Sequence, residues 1–279
     1  MTQQINAQGA PPSASKCLTV RDGAEISYRL RNGAGPARFV LIHSLAMDHR
    51  FWERTAERLH AAGDVLLFDC RGHGASSGIN SPFTAEQFAD DLADLFDAVG
   101  WDDAVVAGAS MGGCVALAFA AAHSGRVRGL GLVDTTAWYG GMAPKQWEER
   151  AQKALDSGMA VLGDFQKSRW FSQDFAAANP DVVTEAMDIF LANDVQSYAE
   201  TCRMLGRFDK RAALPYIAVP TRILVGSEDY ATPLAMAEAM RDAIPGATLE
   251  VLDGAAHLTP LERPKDVARC LLELSEAAR

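Results

Sequence analysis

The segment "DAVVAGASMGGCVALAF" (103–119) is the most informative part of this chain about its fold. Its first part is a short apolar run that predicts a buried strand, and its last part is an apolar run that predicts a buried helix. Between the two runs, Gly108, Ser110 and Gly112 form the pattern G-x-S-x-G. A strand that passes into a helix at such a serine is the context in which the pattern forms a nucleophile elbow. The sequence therefore predicts a sharp turn that exposes the Ser110 hydroxyl at the carboxyl end of a strand.

Strands and helices alternate on both sides of this turn. Short apolar runs predict further strands at 38–44, 64–69, 127–135, 221–229 and 247–253, and an alternating run predicts an edge strand at 25–30. An apolar stripe between Thr84 and Gly100 predicts a helix with Thr84 as its cap and Gly100 as its stop. This alternation predicts an α/β fold, with a mostly parallel central sheet and helices on both faces.

The alternation stops between residues 138 and 211, where the patterns are helical only. We therefore predict an α/β core of residues 17–137 and 212–279, with a helical cap (lid) of residues 138–211 inserted between two strands. Residues 1–16 are rich in Gln, Pro, Ser and Ala and are predicted to be a disordered tail. An insertion at the carboxyl ends of parallel strands is well placed to cover a binding site.

Composition limits the function classes. A net charge of −10 argues against nucleic acids and anionic membranes as partners. Five scattered cysteines without a C-x-x-C pair argue against a disulfide framework or a zinc site, so no metal is expected and a reducing cytoplasm is predicted. The first residues lack the pattern of a signal peptide, and no apolar run approaches the ~20 residues of a membrane helix. The expected partner is a small-molecule substrate, and the oligomeric state is left open.

A serine nucleophile needs a base and an acid. Among the six histidines, His257 follows the last predicted strand and should reach the same sheet edge as Ser110. Asp229 follows the strand after the insertion and gives the chain order Ser, Asp, His that is typical of α/β-hydrolases. Asp134 ends a neighbouring strand on the same edge and remains the alternative acid. The other histidines are interpreted as structural or solvated: His43, His49, His60, His73 and His123.

An oxyanion formed at Ser110 would need two hydrogen-bond donors. The backbone N–H of Met111, the residue after the nucleophile, is the first candidate. The second is the backbone N–H of Leu45, in the loop after the strand at 38–44.

At these residues the chain resembles α/β-hydrolase-fold enzymes, from about residue 17 to the end. The resemblance is carried by the elbow and by "HSLAMDHRFW" (43–52), "DCRGHGASS" (69–77), "GSEDYATP" (226–233) and "GAAHLTPLERP" (254–264). Within that family the chain most resembles 3-oxoadipate enol-lactonases, through "SLAMD" (44–48), "YAETCRMLGRFD" (198–209) and "VPTRILVGSEDYATP" (219–233). It carries "HS" and "VDTTAWYG" (133–140) where those lactonases usually carry "NS" and "NTA".

The resemblance implies a serine hydrolase that cleaves a small carboxylic ester or lactone through an acyl-enzyme, with no metal or organic cofactor. It also implies a substrate that bears a carboxylate. Two other functions remain open. One is a carbon–carbon bond hydrolase of ring-cleavage products that uses the same three residues, and the other is a non-catalytic ligand receptor on the same fold.

The cap is expected to select the substrate. Arg203 lies in the stretch 198–209 and is the first candidate for binding a carboxylate, with Arg169 second and Arg150 a further option. Trp138 and Trp147 are expected to line the pocket.

Overall fold

The computed structural model describes residues 15–78 and 82–278, and in these residues an eight-stranded sheet forms the centre of the molecule. The strands are β1 (Lys16–Thr19), β2 (Glu25–Arg31), β3 (Ala37–Ile42), β4 (Gly63–Phe68), β5 (Ala104–Ala109), β6 (Val127–Val133), β7 (Thr221–Gly226) and β8 (Thr248–Leu252). Their order is β1-β2-β4-β3-β5-β6-β7-β8. β2 pairs antiparallel with both of its neighbours, β1 and β4. All the other neighbouring strands in this order are parallel.

The prediction of an edge strand at 25–30 was wrong, because β2 lies between β1 and β4. The edge is formed by β1, in which Cys17 pairs with Ser27 of β2. A strand of four residues is too short to show a recognisable alternation of polar and apolar residues, so the sequence did not predict it. It begins at Lys16, the last residue of the predicted tail, and residues 1–14 of that tail lie outside the described residues.

Helices cover both faces of the sheet. In the core they are α1 (Glu53–Leu59), α2 (Ala85–Val99) and α3 (Met111–Ala122), and the insertion contains α4 (Ala143–Ser157), α5 (Gly163–Trp170), α6 (Gln173–Ala178), α7 (Pro180–Leu191) and α8 (Val195–Gly206). The chain closes with α9 (Leu234–Ala243), α10 (Thr259–Glu262) and α11 (Pro264–Ala277).

The ends of α2 follow from its sequence. The Thr84 hydroxyl accepts a hydrogen bond from the Gln87 N–H, and the Gln87 side chain accepts one from the Thr84 N–H. This reciprocal pair satisfies two backbone donors at the start of the helix. Gly100 ends the helix with φ +70°, a left-handed conformation that glycine adopts without steric penalty.

The five helices α4–α8 lie between β6 and β7, and both ends of this insertion meet at one point. Trp138 and Asp209 form an antiparallel bridge, and the Lys210 N–H donates to the Ala137 carbonyl at 2.9 Å. Within the insertion α4 packs against α8. The insertion therefore leaves and re-enters the core at a single root, above the carboxyl ends of the strands.

The described residues contain neither a membrane-spanning helix nor a disulfide bond. Within residues 15–78 and 82–278, no helix combines the length and the apolar character needed to cross a bilayer. In the same residues all five cysteines are free thiols, with Cys17 exposed and the others buried.

Candidate active site

The turn at Ser110 is strained and crowded. Ser110 joins β5 to α3 with φ +53° and ψ −117°, a backbone conformation that L-residues rarely adopt. A Cβ atom on Gly108 would lie 2.0 Å from the carbonyl oxygen of Gly112, and one on Gly112 would lie 2.1 Å from that of Ile42. Only glycine leaves room for these backbones to approach, which explains both glycines of G-x-S-x-G.

Neighbouring strands hold the strained turn. The Ser110 N–H donates to the Val133 carbonyl at 2.9 Å, and the Thr135 hydroxyl donates to the Ser110 carbonyl at 2.6 Å. Helix α3 then runs beneath the site with every residue from 111 to 120 buried. The surrounding structure therefore compensates for the local strain, and the Ser110 side chain reaches the cavity above the sheet.

A continuous chain of hydrogen bonds links Ser110, His257 and Asp229. The Ser110 Oγ lies 3.0 Å from His257 Nε2, and His257 Nδ1 lies 3.0 and 2.9 Å from the two carboxylate oxygens of Asp229. With its Nδ1–H donated to Asp229, the imidazole presents the Nε2 lone pair to the serine hydroxyl. This geometry allows His257 to accept the serine proton.

The surroundings of Asp229 keep it ionised. Its carboxylate also accepts hydrogen bonds from the Ala231 N–H (2.8 Å), the Thr232 N–H (2.9 Å) and the Thr232 hydroxyl (2.9 Å). Burial raises the pKa of Asp229, but the His257 charge and these hydrogen bonds outweigh it and hold the pKa below its ordinary value. Burial likewise lowers the pKa of His257, but Asp229 outweighs it and the pKa lies above its ordinary value.

Asp134 lies nearby and has different partners. Its Oδ1 accepts from the Gly226 N–H at 3.1 Å, and its Oδ2 accepts from the Thr259 N–H at 3.0 Å and the Thr259 hydroxyl at 2.6 Å. Burial and the neighbouring Asp229 charge raise the pKa of Asp134 well above its ordinary value. Asp134 therefore binds the end of β7 and the segment after His257, whereas the imidazole itself binds Asp229.

The backbone amides of Leu45 and Met111, the two predicted oxyanion donors, lie near Ser110. Met111 begins α3, and Leu45 lies in the loop after β3, next to Ala46 with φ +58°. In the described part of the chain, no acceptor is hydrogen-bonded to either amide. His43 supports the loop, since its Nδ1 lies 2.8 Å from the Ser44 carbonyl and its Nε2 accepts from the Cys70 N–H at 2.9 Å. Both amides are therefore available to a ligand oxygen.

A cavity of about 680 Å³ lies over Ser110 and His257, between the core and the insertion. Its wall is largely apolar and includes Leu45, Trp147, Leu162, Phe165, Trp170 and Met236. The insertion also contributes three cations to the wall: Arg150, Lys153 and Arg169. An apolar cavity with a few charged groups is typical of a small-molecule site.

Arg150 is held in the cavity wall by one hydrogen bond and by contact with an aromatic ring. Its Nε donates to the Tyr198 hydroxyl at 2.6 Å, and its guanidinium carbon lies 5.0 Å from the centre of the Trp147 ring. Among the described residues no carboxylate lies within 4 Å of its nitrogens. Arg169 is held differently, between the rings of Phe165 and Tyr230 at 3.9 and 3.8 Å.

Two of the predicted pocket residues lie elsewhere. Arg203 pairs with Glu148 at 2.8 Å and Glu200 at 2.6 Å, outside the cavity wall, so its charge is already neutralised. Trp138 lies at the root of the insertion, where the Arg211 guanidinium stacks 3.7 Å from its ring centre. The structure therefore does not bring either residue to the cavity, because helical periodicity shows which residues share a face but not what that face contacts.

His49 was interpreted as solvated and is instead bound to Asp69, with 2.7 Å between Nδ1 and Oδ1. Asp48 lies beside this pair, so three side chains of metal-ligand type come together. Most of their ligand atoms already have protein partners, since His49 Nδ1 binds Asp69, Asp48 binds Arg50 and Asp69 also accepts from the Ala75 N–H, whereas the buried His49 Nε2 has no hydrogen-bond partner. The cluster thus stabilises the loop after β4.

Sequence reasoning missed the roles of Thr259 and Glu262. Both belong to "GAAHLTPLERP" (254–264), where Thr259 binds Asp134 and Glu262 accepts from the Ala256 N–H at 3.2 Å. Their signal was a polar side chain in an otherwise apolar stretch around His257. The sequence does not show which residues these side chains bind, so it did not assign them a role.

The comparisons with known proteins agree with this architecture. A model of the "Alpha/beta hydrolase family" matches residues 39–270. A 3-oxoadipate enol-lactonase of Acinetobacter baylyi is 30% identical over 250 residues, which cover 89% of this chain and 92% of that protein.

Two solved structures share the whole fold. The enol-lactonase from Burkholderia xenovorans LB400 has a TM-score of 0.88 and 33% identity, and the match covers 93% of this chain and 99% of that one. A thermophilic esterase from Thermogutta terrifontis, solved with malate bound, has a TM-score of 0.88 and 28% identity, with 96% and 100% covered. Over most of its length, therefore, this chain belongs to the alpha/beta hydrolase family and is a hydrolytic enzyme of the enol-lactonase and esterase type.

Proposed function

We propose that the protein hydrolyses a carboxylic ester or lactone through an acyl-enzyme on Ser110. His257 accepts the hydroxyl proton as Ser110 Oγ bonds to the substrate carbonyl carbon, and Asp229 stabilises the imidazolium that forms. The N–H groups of Leu45 and Met111 receive the negative oxygen. The imidazolium then gives its proton to the leaving alcohol oxygen, which departs, or in a lactone remains attached through the acyl chain.

The second half of the reaction uses the same groups in reverse order. His257 removes a proton from water, whose oxygen bonds to the acyl carbon, and returns that proton to Ser110 Oγ as the acyl bond breaks. The products are a carboxylic acid and an alcohol, or the hydroxy or keto acid from a lactone. The observation that carries this proposal is the hydrogen-bonded series from Ser110 Oγ to His257 and Asp229 at a strained elbow.

A fluorophosphonate tests the nucleophile directly. We expect one phosphonyl group per chain, located on Ser110 by peptide mass mapping, and none on a Ser110→Ala variant. A wild-type protein that binds esters unchanged and does not react with the probe would contradict the proposal and favour a ligand receptor. Faster cleavage of a vinylogous diketone than of any ester would favour a carbon–carbon bond hydrolase.

We further propose that the substrate carries a carboxylate and that Arg150 binds it. Arg150 lies in the cavity wall without an acidic partner among the described residues, and a guanidinium matches a carboxylate with paired hydrogen bonds. The esterase from Thermogutta terrifontis was solved with malate, a dicarboxylate, and supports an anionic ligand. The net charge of −10 would repel such an anion, but salt screens this repulsion beyond ~8 Å.

We also propose a division of the chain into core and cap, and a cellular location. We retain residues 138–211 as a cap on a core of 17–137 and 212–279, supported by the single root at Trp138 and Asp209. A cytoplasmic location is supported by the free thiols of the cysteines.

A further inference from the structure

The backbone N–H groups of the two residues that flank His257 form hydrogen bonds with residues other than Ser110 and Asp229. On one side, the Leu258 N–H donates to the carbonyl of Trp170, at the end of α5 in the cap. On the other, the Ala256 N–H donates to Glu262 Oε2 at 3.2 Å. The backbone that carries the imidazole is thus held from both sides.

Glu262 also reaches the cap. Its carboxylate accepts from the Ser172 N–H at 3.3 Å and forms a short hydrogen bond with the Ser172 hydroxyl. Both Glu262 and Ser172 are 7% exposed. In the described chain no Lys, Arg or His nitrogen lies within 4 Å of this carboxylate, so its partners are uncharged donors. Glu262 therefore joins the cap segment 170–172 to the residue before His257.

The same cap segment forms part of the substrate cavity. The Trp170 side chain lies in the cavity wall and packs edge-on against Phe190, with 5.4 Å between ring centres. Glu262 itself does not line the cavity. A connection therefore runs from the cavity wall, through Trp170 and Ser172, to the two backbone amides that flank His257.

We infer that Glu262 is a positioning residue that, together with cap segment 170–172, fixes His257 between Ser110 and Asp229. The inference rests on the proposed role of His257 as the base. Proton transfer requires the imidazole to lie within hydrogen-bond reach of the serine, and a displacement of about 1 Å can cost up to about 100-fold in rate. Glu262 binds the backbone on the N-terminal side of His257, whereas Asp134 binds Thr259 on the C-terminal side.

The variants separate hydrogen bonding from charge. Glu262→Ala leaves the Ala256 and Ser172 donors without their acceptor. Glu262→Gln keeps one acceptor oxygen for the two backbone N–H groups, and its NH₂ can donate to the Ser172 hydroxyl, which rotates to accept. Ser172→Ala removes one bond to the cap and serves as the milder variant if Glu262→Ala does not fold.

Steady-state kinetics give the first readout. We expect Glu262→Ala to lower kcat about 10- to 100-fold with KM changed less than threefold, because Glu262 does not line the cavity. Ser172→Ala should lower kcat by a smaller factor, and Glu262→Gln should restore most of the activity. Circular dichroism and thermal unfolding establish that each variant is folded.

The pH profile gives a second readout that a merely structural role would not change. The charged groups that act on His257 are Asp229, Asp134 and Arg150. Because Asp229 raises the pKa of His257, a loosened imidazole should lose part of that effect. The acidic limb of kcat/KM should then move to lower pH in Glu262→Ala and stay in place in Glu262→Gln.

A third readout needs no turnover. The proton on His257 Nδ1 should give a downfield NMR resonance, assigned with a His257→Gln variant, that broadens in Glu262→Ala and in Ser172→Ala. If the wild type does not react with a fluorophosphonate, the proposed function is rejected. The NMR measurement would still test whether Glu262 positions His257. Folded Glu262→Ala with kcat within twofold of wild type and an unchanged resonance would overturn the inference. So would a Glu262→Gln variant as impaired as Glu262→Ala, because the negative charge and not the hydrogen bonds would then matter.

Discussion

Asp134 Oδ2 accepts two hydrogen bonds from Thr259, at 3.0 Å from its N–H and 2.6 Å from its hydroxyl, two residues beyond His257. Asp229 contacts the same loop through the imidazole itself, at 2.9 Å from Nδ1. Two buried carboxylates thus hold one loop, one through Thr259 and one through the imidazole of His257. Their geometry gives them different functions and different responses to mutation.

Replacing each carboxylate by its amide should separate these functions. Asp229→Asn should lower kcat by roughly 10³-fold or more, because an amide cannot hold the imidazole in the required tautomer or stabilise its charge. Asp134→Asn should lower kcat less than tenfold and destabilise the fold by about 1–3 kcal/mol, since buried donors lose an acceptor. Kinetics and thermal unfolding of both variants test this, and a greater loss of activity in Asp134→Asn would contradict the assignment.

The pH dependence of kcat/KM follows from the raised pKa of His257. The base must be neutral to accept the serine proton, so activity falls as pH decreases through this pKa. The midpoint of the acidic limb should lie above pH 6.5, the ordinary value for histidine. In Asp229→Asn the midpoint should move to lower pH, because Asp229 stabilises the protonated imidazole. A neutral ester is the suitable substrate for this measurement. An acidic limb of kcat/KM with the same midpoint in Asp229→Asn as in wild type would contradict the prediction.

The nucleophile and the base should act as one unit. Ser110→Ala and His257→Ala should each lower kcat by roughly 10³-fold or more, and the double variant should be little worse than either. Independent losses that multiply in the double variant would show that the two residues serve separate steps.

A pair of matched esters tests Arg150 as the carboxylate-binding residue. One ester is neutral and the other carries a carboxylate at its far end, and wild type should prefer the charged one. Arg150→Ala should raise KM for the charged ester about 10- to 100-fold, the equivalent of a charged hydrogen bond of about 1.5–3 kcal/mol. Arg203→Ala is the matched control, because Glu148 and Glu200 already bind that guanidinium. A wild-type preference for the neutral ester would reject the anionic substrate.

The crowding at the elbow predicts a large effect of one methyl group. Gly112→Ala should destabilise the fold by about 3 kcal/mol or more, since its Cβ would lie 2.1 Å from the Ile42 carbonyl oxygen. Gly125→Ala, where nothing lies within 4 Å of an added Cβ, should change stability by less than about 1 kcal/mol. Equal unfolding midpoints in urea for the two variants would contradict this account of the motif.

The features that depend on local forces could be predicted from the amino-acid sequence. The order of strands and helices follows from apolar periodicity, and α2 begins and ends at the residues that its capping pattern indicates. The elbow at Ser110 was visible because a strand, a crowded turn and a helix follow one another directly along the chain. Their positions at the ends of predicted strands reduced the candidate acids to Asp134 and Asp229.

Residues whose local patterns are alike could be distinguished only by their contacts in the folded protein. Asp134 and Asp229 both end strands at the same sheet edge, but only Asp229 reaches the imidazole. Arg150 and Arg203 both lie on helices of the insertion, but Arg150 lines the cavity while Arg203 binds two glutamates. Strand β1 was likewise recognisable only from its pairing with β2. In each case the deciding contact joins residues far apart in the chain, and no local pattern records which distant side chain folding will bring near.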